Sequence, residues 1–530
     1  MIEPNRARKL ARGLLAAGVI CCILVQLLLF AYLNFRGFAR YCNSDTFADM
    51  QVAKRMWEQK TLFPEGWTFG NQCYVVATPV LAALFYGLLG NINLAMAAAA
   101  EGMTVLVLLS FLWLLHAAPV DYLTRLVGCL LLLTFVVAPY GVYSMNSMLF
   151  FTQASFYSCY LITLFVVFGD YARAAASNKP RVAAWVLSLL LSFGTGMQSL
   201  RQTVIMILPI AVYELFYGLR NLLQHRMLWC RQDLPRILRA LSYGCANLAG
   251  VVAVKLMHIS SAPIFGNTQM AGMENLGEKL GAVASAAAEL TCLDYLFAGD
   301  CSRFLTLVIL VPVILALIAG LCWLVRINRQ ENGLELCWIL CLIGMAGVFL
   351  STIVLNITLR GIYAFMWFPL AALSGVMLLR KIPSVPQFAA IALACLLSLG
   401  SILYCYGPYV SEIVQAEETD AQRVSQWAVA QGYDFVYGEY WGTAPQIAAY
   451  SEGKLDAGCW HGPENVFQIE AANTPQDIYG ETENGKAIYV FTSEDEASGL
   501  QKALERGVTL TKIEEFGKYN AYISPEQLMY

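Results

Sequence analysis

The amino-acid sequence predicts an all-α polytopic membrane domain followed by a small extracytoplasmic α/β domain. Of the 530 residues, 58% are hydrophobic and only 13% are charged, whereas soluble domains have about 25% charged residues. Apolar runs of about 20 residues, long enough to span a membrane, recur over residues 1–406. The remaining segment, 407–530, alternates helical and strand patterns. The net charge of −3 lacks the basic surplus of nucleic-acid-binding proteins, so we predict no nucleic-acid partner.

The positions of lysine and arginine predict how the chain crosses the cell membrane, because these residues resist translocation. A basic N-terminal segment precedes the first apolar run, and further basic loops lie at 173–181, 220–239, 326–329 and 380–381. We predict that the N-terminal segment and all of these basic loops lie in the cytoplasm, which requires an even number of spans between successive basic segments. One last span after the final basic loop then places the C-terminal domain outside the cytoplasm. About 11 spans satisfy this condition, and they cover residues 13–33, 93–117, 122–138, 153–172, 182–197, 203–219, 238–257, 304–325, 334–355, 362–379 and 387–406.

One apolar stretch, 75–90, is predicted not to span. It has Pro79 near its start, and about 16 residues are marginal for a hydrocarbon core about 30 Å thick. A span here would also break the even count. We therefore predict an interfacial helix at the end of a first outer loop, 34–92. A second large outer loop, 258–302, is predicted to contain a surface helix over 274–290.

The C-terminal segment has the pattern of a small α/β domain. We predict helices at 419–431, 444–450 and 493–506, the last with Ser493 as its cap and Glu496 in a capping box. Strands are predicted at 435–438, 487–491, 510–514 and 519–523.

The segment 41–66 directly after the first span contains the most informative residues. Asp45 begins an amphipathic helix predicted over 45–59, and Asp49 lies one helical turn later. A carboxylate held at the lipid–water boundary can accept the proton of an acceptor hydroxyl group. The alternative is that Asp45 only caps the helix, which is a structural role.

The start of the chain has a characteristic order of segments. A first span is followed by a Ser-Asp pair, an amphipathic helix, a Pro-Glu-Gly turn and then the run from Thr78 to Leu115. This order resembles the start of the C superfamily of membrane glycosyltransferases (GT-C), most closely the protein O-mannosyltransferase and aminoarabinose transferase group. In that family the segment similar to 78–90 is a juxtamembrane helix. The resemblance implies transfer of a sugar from a polyprenyl-phosphate donor to a glycan, lipid or protein acceptor of the cell envelope, with Asp45 as general base.

The sequence departs from the family in the next outer loop. Family members often have a second acidic residue there, at a position that Gln153 occupies here. Asp49 is our candidate to replace it. Because a divalent metal would need at least two carboxylates, we predict no metal site and no other cofactor. Glu101 lies inside the second span and is a further candidate polar site, or alternatively part of a helix-packing face.

A lipid-linked phosphate requires cations near the outer membrane face. Arg201 and Arg360 lie in outer hairpins, against the positive-inside pattern, and a guanidinium group suits phosphate oxygens. The stretch that contains Arg360 and Tyr363 resembles the family's Arg-x-x-Tyr segment, where lipid phosphate is thought to bind. Lys54 is a further candidate for phosphate binding. Snorkelling to lipid headgroups would explain the arginines equally well, and a solvated helix face would explain Lys54.

Two other functions stay open at this stage. A transporter or flippase would need polar residues at mid-membrane and symmetry-related repeats, whereas the sequence contains no internal repeat and its polar candidates lie at the outer ends of spans. A non-catalytic GT-C-like protein of envelope assembly would explain the missing second carboxylate. Replacing Asp45 with Asn would distinguish the enzyme from this last alternative, because a structural cap tolerates Asn.

Overall fold

The computed structural model describes residues 4–70, 72–137, 145–153, 155–176, 181–226, 228–229, 233–259, 276–298, 302–326, 332–354, 360–468, 474–475 and 486–529. These residues form a helical membrane domain and a five-stranded mixed sheet near the C-terminus. This architecture is the one that the sequence predicts.

The chain begins with a long helix and continues through shorter helices and one short strand. Their bounds are α1 (Pro4–Gly37), α2 (Ser44–Gln59), β1 (Trp67–Thr68), α3 (Thr78–Leu89), α4 (Ile92–Leu115), α5 (Tyr122–Val137), α6 (Met145–Phe150) and α7 (Ser158–Ala176).

Over its described residues, the middle of the chain contains helices and no strands. Its elements are α8 (Val182–Gln198), α9 (Leu200–Gln202), which continues through a π-helical turn (Thr203–Ile207) into α10 (Leu208–His225), then α11 (Leu234–Leu256), α12 (Leu276–Thr291), α13 (Leu293–Phe297), α14 (Arg303–Leu324) and α15 (Gly333–Val354). A 3-10 turn (Gly361–Ala364) then leads to α16 (Trp367–Leu379), α17 (Ser384–Ser401), a second π-helical turn (Ile402–Tyr406) and α18 (Gly407–Val414).

Each predicted span coincides with one of these helices, so the chain is a multi-pass membrane protein. Seven helices in the described part of the chain are long and apolar enough to cross a membrane, and they are Lys9–Gly37, Ile92–Leu115, Leu200–Leu223, Leu234–Leu256, Arg303–Leu324, Gly333–Val354 and Ser384–Val414. The helix α3 has 12 residues, hence a length of about 18 Å, which is too short to span and agrees with the predicted interfacial helix.

Several predicted boundaries are wrong. The basic loop predicted at 173–181 begins later, because α7 continues to Ala176 and contains Arg173. The basic loop predicted at 220–239 ends earlier, because α11 begins at Leu234 and contains Arg236 and Arg239 as buried side chains. Both arginines are paired with acidic residues, which makes their burial tolerable. Arg236 donates to Glu214 at 2.7 and 3.0 Å. Likewise, the span predicted at 362–379 starts only at Trp367, after the 3-10 turn.

The helices α8 and α11 pack more closely than side chains would allow, because glycine lies at each crossing point. A Cβ atom on Gly196 would lie 2.0 Å from the carbonyl oxygen of Asn247, and one on Gly250 would lie 2.1 Å from that of Phe193. Small residues at such contacts are typical of membrane helices.

We expect the substitution Gly250→Val to destabilise the protein by about 1–3 kcal/mol, because the new side chain forces α8 and α11 apart. Thermal unfolding of the detergent-solubilised protein measures this effect. Gly18→Val is the matched control, because a Cβ atom on Gly18 would meet no atom within 4 Å. Equal melting temperatures for the two variants would contradict the tight packing.

In the described part of the C-terminal domain, the helices α19 (Asp420–Ala430), α20 (Ala444–Tyr450) and α21 (Glu496–Glu505) surround a mixed sheet. Its strands are β2 (Phe435–Glu439), β3 (Asp456–Trp460), β5 (Ala487–Thr492), β6 (Thr511–Phe516) and β7 (Tyr519–Ile523), in the order β3-β2-β5-β7-β6. The first three strands are parallel, and β7 is antiparallel to both of its neighbours.

Two features of this domain differ from the prediction. The strand β3, with the sequence Asp-Ala-Gly-Cys-Trp, was missed because it lacks the β-branched residues that indicate strands. The helix predicted to begin with the Ser493 cap starts at Glu496 instead. The carboxylate of Asp495 accepts hydrogen bonds from the amide and hydroxyl groups of Thr492, so a turn occupies this position.

The C-terminal domain contacts the segment 34–92 directly. The short strand β1 pairs with β4 (Thr474–Pro475) in a separate antiparallel ladder. Gln51 in α2 donates to the carbonyl oxygen of Ala457, and Asn93 at the start of α4 donates to that of Ala449. Buried apolar residues of α2 and α20 belong to one common core. The domain therefore lies over α2, the helix that carries Asp45.

Candidate functional site

Asp45 lies in the first turn of α2, but it does not cap this helix. The cap is Asn43, whose side-chain oxygen accepts hydrogen bonds from the amide and hydroxyl groups of Thr46, both at 2.9 Å. The alternative structural role considered for Asp45 is therefore performed by Asn43. The side chain of Asp45 is accessible, although protein surrounds it on most sides.

The surroundings of Asp45 favour a carboxylate that can take up a proton. Burial raises the pKa of Asp45 above its ordinary value. A hydrogen bond from the Tyr440 hydroxyl, 3.4 Å from the Asp45 Oδ1, and the positive charge of Arg360 lower the pKa again, but only in part. A general base is more effective when its pKa is closer to the working pH. The accessible Asp45 carboxylate thus has suitable properties for this role.

Asp49 lies one turn further along α2 and is buried, with 1% of its surface exposed. Neither of its carboxylate oxygens has a hydrogen bond of ordinary geometry. Burial and the nearby charge of Asp45 raise the pKa of Asp49 well above its usual range, and the neighbouring Tyr74 hydroxyl lowers it only in part. Asp49 therefore ionises less readily than an ordinary aspartate, and Asp45 is the more accessible of the two groups.

Arg201 lies at the start of α9 among tyrosine side chains. Its Nη1 donates to the hydroxyl oxygen of Tyr157. Its guanidinium carbon lies 5.1 Å from the centre of the Tyr157 ring and 4.8 Å from that of the Tyr363 ring. Among the described residues it forms no ion pair with a carboxylate, so its charge is available to an anionic ligand.

The turn that contains Arg360 and Tyr363 is held by α12. The amide of Gly361 donates to the Oε2 of Glu289 in α12 at 3.0 Å, and a Cβ atom at Gly361 would lie 2.5 Å from the carbonyl oxygen of Ala286. This close contact requires glycine. The amide of Tyr363 in turn donates to the carbonyl oxygen of Arg360. The side chain of Arg360 is exposed and, within the described part of the chain, has no carboxylate within ion-pair distance.

The structure thus brings together five of the residues that the sequence singled out. Asp45 is within electrostatic range of Asp49 and Arg360. The backbone then connects Arg360 to Tyr363, whose ring contacts Arg201. We call these residues the Asp45 cluster, and its members are Asp45, Asp49, Arg201, Arg360 and Tyr363.

Three other candidate residues lie elsewhere. Lys54 contacts the C-terminal domain, with its Nζ 3.8 Å from the Asp456 Oδ1 and 3.3 Å from the Gly453 oxygen. Gln153 is fully buried in the loop before α7, whose start at Ser158 is later than predicted. Its side-chain amide has no hydrogen-bond partner.

Glu101 is the third of these residues, and it lies within α4. One of its carboxylate oxygens is buried without a hydrogen-bond partner. In the described part of the chain, neither Gln153 nor Glu101 forms a hydrogen bond or an ion pair with the Asp45 cluster.

An aromatic group on the C-terminal domain adjoins Asp45. The ring centres of Tyr440 and Trp441 are 5.1 Å apart, and each lies 5.7 Å from the ring centre of His461. Trp441 is 53% exposed, and Glu439 holds its backbone by accepting from its amide at 2.7 Å. We call Tyr440, Trp441 and His461 the aromatic platform. Nothing in the local sequence pattern indicates that these residues lie beside Asp45.

A metal ion was not predicted at this site. In the part of the chain that the structure describes, no three side chains of His, Cys, Asp or Glu come together as metal ligands. The cation that acts on Asp45 is Arg360.

Comparison with solved structures identifies the fold. The chain is similar to ArnT from Cupriavidus metallidurans, crystallised bound to undecaprenyl phosphate, with a TM-score of 0.55 and 12% identity over 97% of this chain and 99% of ArnT. An Archaeoglobus fulgidus oligosaccharyltransferase, crystallised with Zn and sulfate, gives a TM-score of 0.48 and 10% identity over 89% of this chain and 68% of that protein. No protein-family model matches the sequence, and no curated protein matches it significantly. The match to ArnT, over 97% of this chain, shows that the chain has a GT-C-like fold.

Proposed function

We propose that this protein is a membrane glycosyltransferase that moves a sugar from a polyprenyl-phosphate donor to a hydroxyl group of a cell-envelope acceptor at the outer membrane face. The proposal depends mainly on one observation, the accessible carboxylate of Asp45 in the electrostatic field of Arg360. The GT-C fold and the undecaprenyl phosphate bound to ArnT, a protein of the same fold, support the choice of donor.

The reaction requires one proton acceptor and a stabilised leaving group. The acceptor oxygen attacks the anomeric carbon of the donor sugar, and its proton passes to the carboxylate of Asp45. The bond between the anomeric carbon and the phosphate oxygen breaks, and the electron pair leaves with the polyprenyl phosphate. Arg201 and Arg360 stabilise the negative charge that develops on this phosphate. Attack from the face opposite to the phosphate inverts the anomeric configuration.

The test is turnover of a panel of radiolabelled undecaprenyl-phosphate sugars by the purified full-length protein, with envelope glycans as acceptors. We expect at least one donor to release undecaprenyl phosphate together with a labelled product. If wild-type protein turns over none of the panel, while it still binds undecaprenyl phosphate, the non-catalytic alternative is favoured instead.

We expect Tyr440→Phe to move the acid limb of the pH profile of kcat/KM to higher pH. The Tyr440 hydroxyl donates to the charged form of Asp45 and so lowers its pKa. Without this bond the pKa rises, and Asp45 becomes a free base only at a higher pH. Profiles of the wild type and the variant over the acidic range measure the shift. An unchanged acid limb would show that Asp45 is not the titrating base.

We expect Trp441→Ala to raise the KM for a glycan acceptor about tenfold, which corresponds to about 1.4 kcal/mol, with little change in kcat. The C–H faces of a sugar ring pack against aromatic rings, and Trp441 offers an exposed ring beside Asp45. Steady-state kinetics with acceptor and donor varied separately check this result. A rise in the KM for the donor alone would contradict this prediction, because it would show that the aromatic platform binds the donor instead of the acceptor.

A further inference from the structure

A basic cavity lies at the opposite end of the membrane domain from the Asp45 cluster. The helix α7 begins beside Tyr157, near Arg201, and reaches Arg173 after about 22 Å. The cavity there has a volume of about 430 Å³, and its charged or titratable lining residues are His116, Arg125, Asp170, Arg173, Arg181 and Arg239. It is therefore separate from the proposed catalytic site.

The cavity has an excess of positive charge. Asp170, the single acidic residue among the described lining residues, pairs with Arg239 at 3.1 Å and accepts a hydrogen bond from Tyr243 at 2.5 Å. Arg125, Arg173 and Arg181 have no carboxylate partner among the described residues. Like charges so close together repel each other unless an anion lies between them.

Arg173 is the residue that points most directly to a ligand. Only 9% of its surface is exposed, and its Nε and Nη1 have no hydrogen-bond partner. The Nε of Arg125 is also buried without a partner. A buried N–H group without an acceptor costs about 1–3 kcal/mol, and more when it is charged. Phosphate oxygens would satisfy these donors, because the guanidinium fork matches phosphate geometry.

An apolar groove of about 550 Å³ adjoins the cavity along α4, α7 and α8. The cavity and the groove meet at Trp113, which lines the groove. The centre of its ring lies 3.7 Å from the guanidinium carbon of Arg173, and its carbonyl oxygen accepts a hydrogen bond from the same guanidinium group. Apolar side chains form most of the lining of the groove, among them Leu106, Leu109, Ile162, Val166 and Leu187. A hydrocarbon chain fits such a lining, whereas free phosphate would leave it empty.

We propose that the cavity and the groove together bind a lipid phosphate, with the phosphate held by Arg125, Arg173 and Arg181 and the hydrocarbon chain in the groove. This site goes beyond the proposed transfer reaction and does not depend on it. The lipid is a phosphate ester with a long hydrocarbon chain, a chemistry that both an anionic phospholipid and a polyprenyl phosphate possess. Basic pockets between membrane helices recognise lipid headgroups in this way.

Native mass spectrometry of the full-length protein in detergent tests the site, with phosphatidylglycerol, phosphatidylcholine, undecaprenyl phosphate and inorganic phosphate as separate probes. The background is Arg201→Gln, so that the Asp45 cluster contributes little to binding. We expect saturable binding of phosphatidylglycerol or undecaprenyl phosphate, weakened at least about tenfold by Arg125→Gln with Arg173→Gln. The matched control, Arg226→Gln with Arg380→Gln, removes two exposed arginines outside the cavity and should bind as before.

A second variant keeps the test decisive if the double variant does not fold. Ala183→Phe fills the groove without changing any charge and should also weaken lipid binding. Preference for phosphatidylglycerol would identify a membrane phospholipid as the source, and preference for undecaprenyl phosphate would identify the carrier lipid. Unchanged lipid binding in both variants would overturn the proposal. So would binding of inorganic phosphate alone that Ala183→Phe leaves intact.

Discussion

Replacing Asp45 with Asn should lower the rate of sugar transfer by about 10²–10⁴-fold while the melting temperature of the protein stays nearly the same. The variant keeps the size and most of the polarity of the side chain but cannot accept a proton. The helix α2 should remain intact, because Asn43 provides its cap. Turnover of the undecaprenyl-phosphate sugar that the wild type accepts, together with a thermal unfolding curve, measures both effects.

Glu58→Gln is the matched control for this substitution. Glu58 is an exposed carboxylate near the other end of the same helix, so its loss should leave the rate unchanged. If Asp45→Asn retained a rate within a few-fold of the wild type, another group would be the proton acceptor. If it unfolded at a much lower temperature than Glu58→Gln, the role of Asp45 would be structural.

The second large effect is expected from the two arginines of the Asp45 cluster. Arg201→Gln and Arg360→Gln should each reduce kcat by about 10²–10³-fold, the effect typical of removing one group that stabilises transition-state charge. Both should also weaken the binding of undecaprenyl phosphate. The matched control is Arg303→Gln, an exposed arginine at the start of α14.

The two variants should differ in their pH dependence, which separates direct from indirect effects. The charge of Arg360 lowers the pKa of Asp45, so Arg360→Gln should move the acid limb of the activity profile to higher pH. Arg201 contacts Tyr157 and Tyr363, and we expect Arg201→Gln to leave the limb in place. Equal losses for Arg303→Gln and the two cluster variants would indicate a general electrostatic effect instead of specific phosphate contacts.

The hydropathy pattern predicted most of the membrane domain, because each span must bury its backbone within one helix. The positions of lysine and arginine, together with the even count of spans, predicted which loops lie at the same end of the bundle. The predicted topology places three candidate residues at the same end of the bundle, and these are Asp45, Arg201 and Arg360. Their proximity therefore follows from the topology. The exclusion of α3 as a span followed from its length and from the even count of helices.

Contacts between distant segments could not be predicted in this way. Tyr440 lies 395 residues from Asp45 in the sequence, and only the packing of the C-terminal domain on α2 brings them together. The same packing explains Lys54, which faces Asp456 instead of the Asp45 cluster. The basic residues Arg173 and Arg239 looked like topological signals in loops, whereas the structure places them in helices that line a cavity.

The most direct measurement is a cryo-electron microscopy structure of the full-length protein with undecaprenyl phosphate added. We predict density for the lipid phosphate between the guanidinium groups of Arg201 and Arg360, with the Asp45 carboxylate facing the open side of that phosphate. Lipid density confined to other parts of the protein, with Asp45 and Arg360 facing only solvent, would contradict the proposed reaction site.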